Sequence, residues 1–322
     1  MLAVFAKSFD AYDPLAGLVV DEVDEPSGPS DGWTRVEVRA ASLNHHDLWS
    51  LRGVGLRAEA LPMILGCDAA GVDEDGNEVV VHAVVSDPAW RGDETLDPRR
   101  SILSEVHPGT FAETVWVPRR NLVPKPAELS FAEAACLPTA WLTAYRMLFT
   151  RARLQPGATV LVQGAGGGVA TALIVLARAA GARVWATSRS EDKRERARAL
   201  GADAVFEPGA RLPERVDVVA ETVGAATWEH SLKALKPGGT LVISGATSGQ
   251  DPAAGLNRIF FLQLSVIGST MGTRDELERL VRLCVERDVR PVIESERPLE
   301  QARDAFAALA AGDVFGKLVL TR

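Results

Sequence analysis

Short apolar runs, broken often by Gly, Pro and Asp, fill the first 125 residues. Leu18–Val20, Thr34–Val38, Glu78–Val81 and Phe111–Val117 read as strands, although apolar and polar positions alternate only partly. Ser86 to Gly109 reads as a long surface loop. The pattern changes near Leu129. Ser130 and Glu133 form a capping box ahead of the helical run FAEAACLPTAWLTAYRML, which Pro138 is expected to bend or break. From Gly157 apolar strands alternate with helices. The expected strands are Thr159–Gln163, Ala182–Thr187, Asp203–Phe206, Asp217–Glu221, Thr240–Ser244 and Leu264–Ser269. This rhythm predicts an α/β fold with a doubly wound parallel sheet. Farther on, Thr273 and Glu276 cap a helix in which Leu277, Leu280, Val281 and Cys284 recur at helical spacing, so Cys284 is expected in the core. A helix over Leu299–Ala311 and a strand over Lys317–Leu320 follow. The simplest architecture inserts the nucleotide-type domain into a domain shared by the N-terminal part and the tail.

Composition narrows the function classes. At 322 residues two domains are expected, and 47% hydrophobic with 24% charged residues is an ordinary soluble mixture. The net charge of -8 argues against non-specific nucleic-acid binding, which needs a basic footprint. No apolar run reaches membrane-spanning length, and MLAVFAKSF lacks the layout of a signal peptide. Cys67, Cys136 and Cys284 are odd in number and widely spaced, which fits a reducing cytoplasm. No CxxC pair exists, which excludes a structural zinc lobe built on four cysteines. The expected partner is a small-molecule substrate, with neither nucleic acid nor membrane.

The most informative segment is VLVQGAGGGVATALIVLARAAGARVWAT. Gly164, Gly166, Gly167, Gly168 and Val169 lie between a strand and a helix. A tight turn lets backbone approach a pyrophosphate, and the helix N-terminus offers N–H groups and a positive dipole end. Ala170 takes the small position where helix packs on strand. The second strand ends in Thr187, Ser188, Arg189 and Ser190, without the acid that accepts from the ribose hydroxyls of NAD. Ser188, Arg189 and Lys193 suit a 2′-phosphate instead, which predicts NADPH as cofactor.

ASLNHHDLWSLRG gathers Asn44, His45, His46, Asp47 and Trp49, and LPMILGCDAAG supplies Cys67 and Asp68. These residue types read two ways: a metal set drawing on His, Cys and Asp, or a hydrogen-bonded polar wall of a substrate cleft.

Together with GTFAETVWVP, LTAYRML, GSTMG and FGKLVL, these segments resemble the medium-chain dehydrogenase/reductase superfamily, nearest its quinone oxidoreductase-like and zinc-type alcohol dehydrogenase-like branch. The resemblance implies a GroES-like, mainly β catalytic domain over residues 1–128 and 271–322, a Rossmann NADP-binding domain over 129–270, and a cleft between them. Zinc-using members carry Cys at the position of Asn44 and His at that of Cys67, with a third ligand near Cys136. Two substituted positions imply that no metal is bound. Asn44 then becomes the donor to the substrate oxygen, His46 a proton donor or relay, and Asp47 an orienting group. Cofactor contacts are implied for Thr143, Gly245, Ala246, Ser269, Met271, Gly316 and Lys317. Homodimers or homotetramers are common in the superfamily, and here the strand Leu264–Gly268 would lie near the two-fold. The expected activity is zinc-independent, NADPH-dependent hydride transfer to a small carbonyl or activated alkene. A zinc-assisted alcohol dehydrogenase and a non-catalytic NADPH-binding sensor are the alternatives.

Overall fold

Alternation organises the first unit, residues 1–140 and 272–322 of a computed structural model that describes residues 1–29 and 32–322. It holds β1 (Leu2–Ala6), β2 (Leu18–Glu22), β3 (Trp33–Ser42), α1 (His45–Leu51), β4 (Met63–Ile64), β5 (Asp68–Asp73) and β6 (Glu78–Val81). The chain continues through β7 (Val84–Val85), β8 (Ser101–Ile102), β9 (Thr114–Pro118), β10 (Leu122–Pro124) and α2 (Phe131–Ala135). In β3 Thr34, Val36, Val38 and Ala40 are buried while the residues between them are half-buried, the period of two that one covered sheet face demands. β3 is the hub: it pairs antiparallel with β5 and with β9. Beneath it Leu48, Leu51, Leu65, Phe111 and Phe306 form one core, with the Phe111 and Phe306 rings edge to face at 5.9 Å.

Ser86–Gly109 is more than the expected surface loop. β8 pairs with β7, and Leu103 and Ser104 are fully buried. Strands of two residues are too short for alternation to betray. The compact unit ends after Ala140, not after 128, because α2 packs on β3 and β5, where Ser42 Oγ lies 3.0 Å from the Ala135 carbonyl. Pro138 acts as expected: α2 stops at Ala135, and wider π-type turns carry the chain over Leu137–Trp141.

The second unit, Trp141–Met271, starts with α3 (Leu142–Tyr145). Then come β11 (Thr159–Val162), α4 (Gly168–Ala179), β12 (Arg183–Thr187), α5 (Glu191–Leu200), β13 (Ala204–Phe206), β14 (Val216–Glu221), α6 (Ala225–Ala234), β15 (Leu235–Ile243), α7 (Leu256–Phe261) and β16 (Ser265–Gly268). Among the described residues the strands make a six-stranded parallel sheet in the order β13-β12-β11-β14-β15-β16. The doubly wound fold is therefore present. β11 is buried along its whole length, as a strand covered on both faces must be. Every anticipated strand here is found, with ends shifted by at most one residue except that β15 starts at Leu235, not Thr240.

The chain returns to the first unit through α8 (Arg274–Glu286), β17 (Ile293–Pro298), α9 (Ala302–Ala311) and β18 (Lys317–Thr321). Thr273 and Glu276 cap α8, and Cys284 is buried on it. β18 runs antiparallel to β3 and places Lys317 beside Leu43 and Asn44.

Candidate active site

In the second unit the chain leaves β11 and turns through Gln163–Gly167 into α4. Gly164 (φ 77°) and Gly166 (φ 139°) sit where a side chain is strained. Contact adds to the requirement: a Cβ on Gly164 would meet Val223 Cγ2 at 2.6 Å, and one on Gly166 would meet Lys193 Cδ at 2.9 Å. The turn and the candidate phosphate-binding lysine of α5 thus converge. Gly167 caps α4 without a side-chain hydrogen bond, so the first-turn amides at Gly168 and Val169 have no side-chain acceptor. These features fit a pyrophosphate.

Ser188 is buried and Arg189 is exposed at the end of β12. Arg194 was not anticipated. Its guanidinium donates to the carbonyls of Ser188 (2.6 Å) and Arg189 (3.3 Å), fixing the segment expected to meet the 2′-phosphate. Glu221 was also missed. At the end of β14 its carboxylate accepts from the backbone of Val223 (2.8 Å) and Gly224 (3.1 Å) and from Ser231 Oγ (2.6 Å). Ser231 in turn accepts from Gln163, and Thr187 Oγ1 donates to Gln163 while accepting from the Gly164 amide. One buried chain of hydrogen bonds therefore sets the mutual positions of the strand ends around the glycine turn. Thr143 is buried on α3, and one turn later Met147 touches Ser244, next to Gly245 and Ala246. The Ser269 amide donates to Ile243 (2.8 Å), its hydroxyl is buried without a partner, and Met271 is buried with φ 39°.

Gly316 and Lys317 belong to the first unit. The Lys317 ammonium is held inside the first unit. It is 2% exposed and reaches Leu43 O (2.6 Å), Asn44 Oδ1 (2.6 Å) and Asp68 Oδ2 (3.3 Å). Gly316 (φ 108°) makes this possible, since a Cβ there would lie 2.3 Å from the Val292 carbonyl. Asn44 Nδ2 donates to Asp68 Oδ2 at 2.8 Å, and Ser42 Oγ lies 2.9 Å from the same oxygen. The amide orientation follows from chemistry: an ammonium only donates and a carboxylate only accepts. The second Nδ2 hydrogen of Asn44 has only a 3.4 Å contact with Ser42 O.

Asn44 also opens α1. Its backbone N–H donates to Asp47 Oδ2 (2.7 Å), which orients the Asp47 carboxylate. Asp47 Oδ1 is buried and accepts no hydrogen bond among the described residues, with His46 Nδ1 3.9 Å away. His46 Nε2 lies 2.9 Å from Glu105 Oε1, so that nitrogen carries a hydrogen, and Nδ1 lies 3.3 Å from Cys67 Sγ. Burial pulls the His46 imidazole down, but the Cys67 sulfur and the hydrogen bonds with Asp47, Cys67 and Glu105 outweigh it and hold it well above its ordinary range. Burial pushes the Cys67 thiol up, against the pull of His46. Glu105 was not anticipated. It comes from the segment first read as a surface loop, 59 residues beyond its partner.

The zinc set implied by the resemblance does not fit these residues. The first ligand position is a carboxamide whose oxygen is taken by an ammonium. Cys136 Sγ donates to Ala132 O (3.2 Å) inside its own helix, and burial pushes its thiol up to about 12. His46, Asp47 and Cys67, by contrast, bring ligand-type atoms within 4.8 Å of one another.

Residues 168–286 match the zinc-binding dehydrogenase family and residues 30–127 the alcohol dehydrogenase GroES-like domain. The chain is 32% identical over 327 residues to the acryloyl-coenzyme A reductase of Metallosphaera sedula, covering 95% of this chain and 96% of the relative. Among solved structures it is similar to an NAD-dependent alcohol dehydrogenase, at 36% identity and TM-score 0.91 with all of both chains covered. It is also similar to the cobalt- and zinc-bound thermostable alcohol dehydrogenase of Pyrobaculum aerophilum, at 31% identity and TM-score 0.90, covering 100% of this chain and 99% of the other. A glycine-turn dinucleotide fold inserted into a GroES-like unit defines the class, a nicotinamide-dependent oxidoreductase. The chain belongs to the medium-chain dehydrogenase/reductase superfamily, in its zinc-type alcohol dehydrogenase-like branch.

Proposed function

We propose that this enzyme uses NADPH to reduce a small carbonyl compound or a carbonyl-conjugated alkene by a reaction that does not require zinc. When bound, NADPH supplies the hydride. The observation that carries the reading is the Asn44 amide, clamped by Lys317 and Asp68 where a ligand thiolate would stand. A clamped amide is preorganised, so its second Nδ2 hydrogen meets negative charge developing on a substrate oxygen without reorganising. His46, its side chain 23% exposed and held by Glu105, is the proton source, and Asp47 orients the turn that presents it. On the cofactor side Gly164–Val169 seat the pyrophosphate. Ser188, Arg189 and Lys193 hold the 2′-phosphate, while Thr143, Gly245, Ala246, Ser269 and Met271 line the nicotinamide end.

The similarity to an acryloyl-coenzyme A reductase supports an activated alkene as acceptor. NADPH oxidation with an enone, an enoyl thioester, a quinone and an aldehyde tests the assignment. Turnover of at least one acceptor is expected, with an alkene conjugated to a carbonyl the best. Tight NADPH binding without turnover of any of them would instead indicate a sensor.

We also propose a homodimer, or a multiple of one, built across β16. This strand ends the sheet with Ser265, Val266 and Gly268 exposed, and α7 beside it exposes Phe260 (66%) and Phe261 (79%). An open edge flanked by exposed aromatic rings is a surface that a second copy covers.

A further inference from the structure

We infer that His46 Nδ1, Asp47 Oδ1 and Cys67 Sγ bind a divalent transition-metal ion, zinc or cobalt, in a set that keeps only the Cys67 position of the zinc-using relatives and draws its other two ligands from the start of α1. The ligand atoms are already spaced for it. Bonds of about 2.0–2.3 Å around a tetrahedral ion put neighbouring ligand atoms about 3.3–3.8 Å apart. His46 Nδ1 lies 3.3 Å from Cys67 Sγ and 3.9 Å from Asp47 Oδ1, and all three atoms fall within 4.8 Å of one another. Closing them on one ion takes shifts of about 1 Å or less.

Asp47 gives the second, independent observation. Its side chain is 0% exposed, Oδ2 accepts from the Asn44 backbone N–H, and Oδ1 accepts no hydrogen bond among the described residues, its nearest charged neighbour being His46 Nδ1 at 3.9 Å. A buried carboxylate oxygen left unsatisfied is costly, and an ion would satisfy it. The supporting contacts are also those a metal site needs. Glu105 binds the outer nitrogen of His46 and turns Nδ1 toward Cys67, the carboxylate–histidine arrangement that orients metal-bound imidazoles. Gly55 makes room for that carboxylate, since a Cβ there would lie 2.5 Å from Glu105 Oε1. Ser104 Oγ, 3.6 Å from Cys67 Sγ, is placed to donate to a thiolate. The partly exposed His46 leaves a route for entry.

This inference goes beyond the reaction proposed above and does not depend on it, because metal binding is read without substrate or NADPH. Metal-free protein is titrated with Co2+ and followed by absorption. We expect one equivalent to bind, with a thiolate-to-cobalt charge-transfer band and tetrahedral visible bands, all displaced by Zn2+. Cys67→Ser should abolish the charge-transfer band. Glu105→Gln should keep the band but weaken binding about 10- to 100-fold. If Cys67→Ser does not fold by circular dichroism, His46→Ala is read in its place, and a loss of affinity of at least about 10-fold is expected. No stoichiometric Co2+ uptake by the folded protein, or a charge-transfer band that survives in Cys67→Ser, would overturn the inference, as would unchanged affinity in His46→Ala.

Discussion

Lys317 decides how Asn44 acts. An ammonium 2.6 Å from Oδ1 and a carboxylate 2.8 Å from Nδ2 leave the amide one orientation, with its second hydrogen held only by a long 3.4 Å bond to Ser42 O. Asn44→Ala should therefore lower kcat by roughly 10- to 1,000-fold, the range for loss of one oxyanion donor, while NADPH affinity stays near that of the parent. Stopped-flow binding alongside steady-state rates checks this, and a loss confined to NADPH binding would count against the role. Arg189 is the matching residue in the second unit. It is exposed at the end of β12, with its backbone held by Arg194, so its side chain is free to be read separately from the fold. Arg189→Ala should weaken NADPH more than NADH, because the lost partner is the 2′-phosphate. Titration of both cofactors against both proteins measures it; equal weakening would remove the preference for NADPH.

Elements differ in how much of themselves they show in sequence. The glycine turn was legible because its determinants are consecutive: strand, Gly164 to Gly168, helix. The caps at Ser130 and Thr273 were legible for the same reason, since a box spans four residues. Lys317 meets Asn44 across 273 residues and Glu105 meets His46 across 59, and no local pattern encodes such pairs. Lys317, expected at the cofactor, ties β18 to the start of α1. The Asn44–Asp47 cap is a further local signal, a polar N-cap with an acid three residues on. His82, just after β6, joins elements in a similar way. It is buried, and its Nε2–H donates to Gly272 O (2.9 Å), tying β6 to the returning chain ahead of α8. Burial carries its pKa down from 6.5 to about 4; the Gly272 hydrogen bond opposes that shift, and Arg274 reinforces it while Asp275 and Glu276 oppose it. The folded protein thus keeps His82 neutral to about pH 4, whereas the unfolded chain takes the proton near 6.5. Its contribution to stability is full above pH 6.5 and is lost as pH falls from 6.5 toward 4, by about 3 kcal/mol in all. Urea melts at pH 7.5 and 4.5 should show this loss in the parent and a smaller one in His82→Gln. An equal loss in both would exclude His82 as its source.

For the whole molecule, the change from short interrupted strands to a strand–helix rhythm is a property of long stretches, and the second unit, Trp141–Met271, lies in the chain between the two segments of the first. The division itself lay at Ala140, where packing of α2 on the sheet of the first unit decides. Assembly belongs to this scale. With Phe260, Phe261 and Val266 exposed along the open β16 edge, light scattering should give twice the 34.4 kDa chain mass or a multiple of it at micromolar concentration. Phe261→Asp combined with Val266→Lys should release monomers that keep the fold. A parent protein that is monomeric under those conditions would refute the dimer.

The most direct test of the central claim is the rate of NADPH oxidation, with the best acceptor of the panel, by protein stripped of metal with a strong chelator and checked by elemental analysis. If Asn44, held by Lys317 and Asp68, stabilises the developing charge, the stripped enzyme should retain the rate of the untreated one. Activity that disappears with stoichiometric zinc and returns when zinc is restored would contradict it.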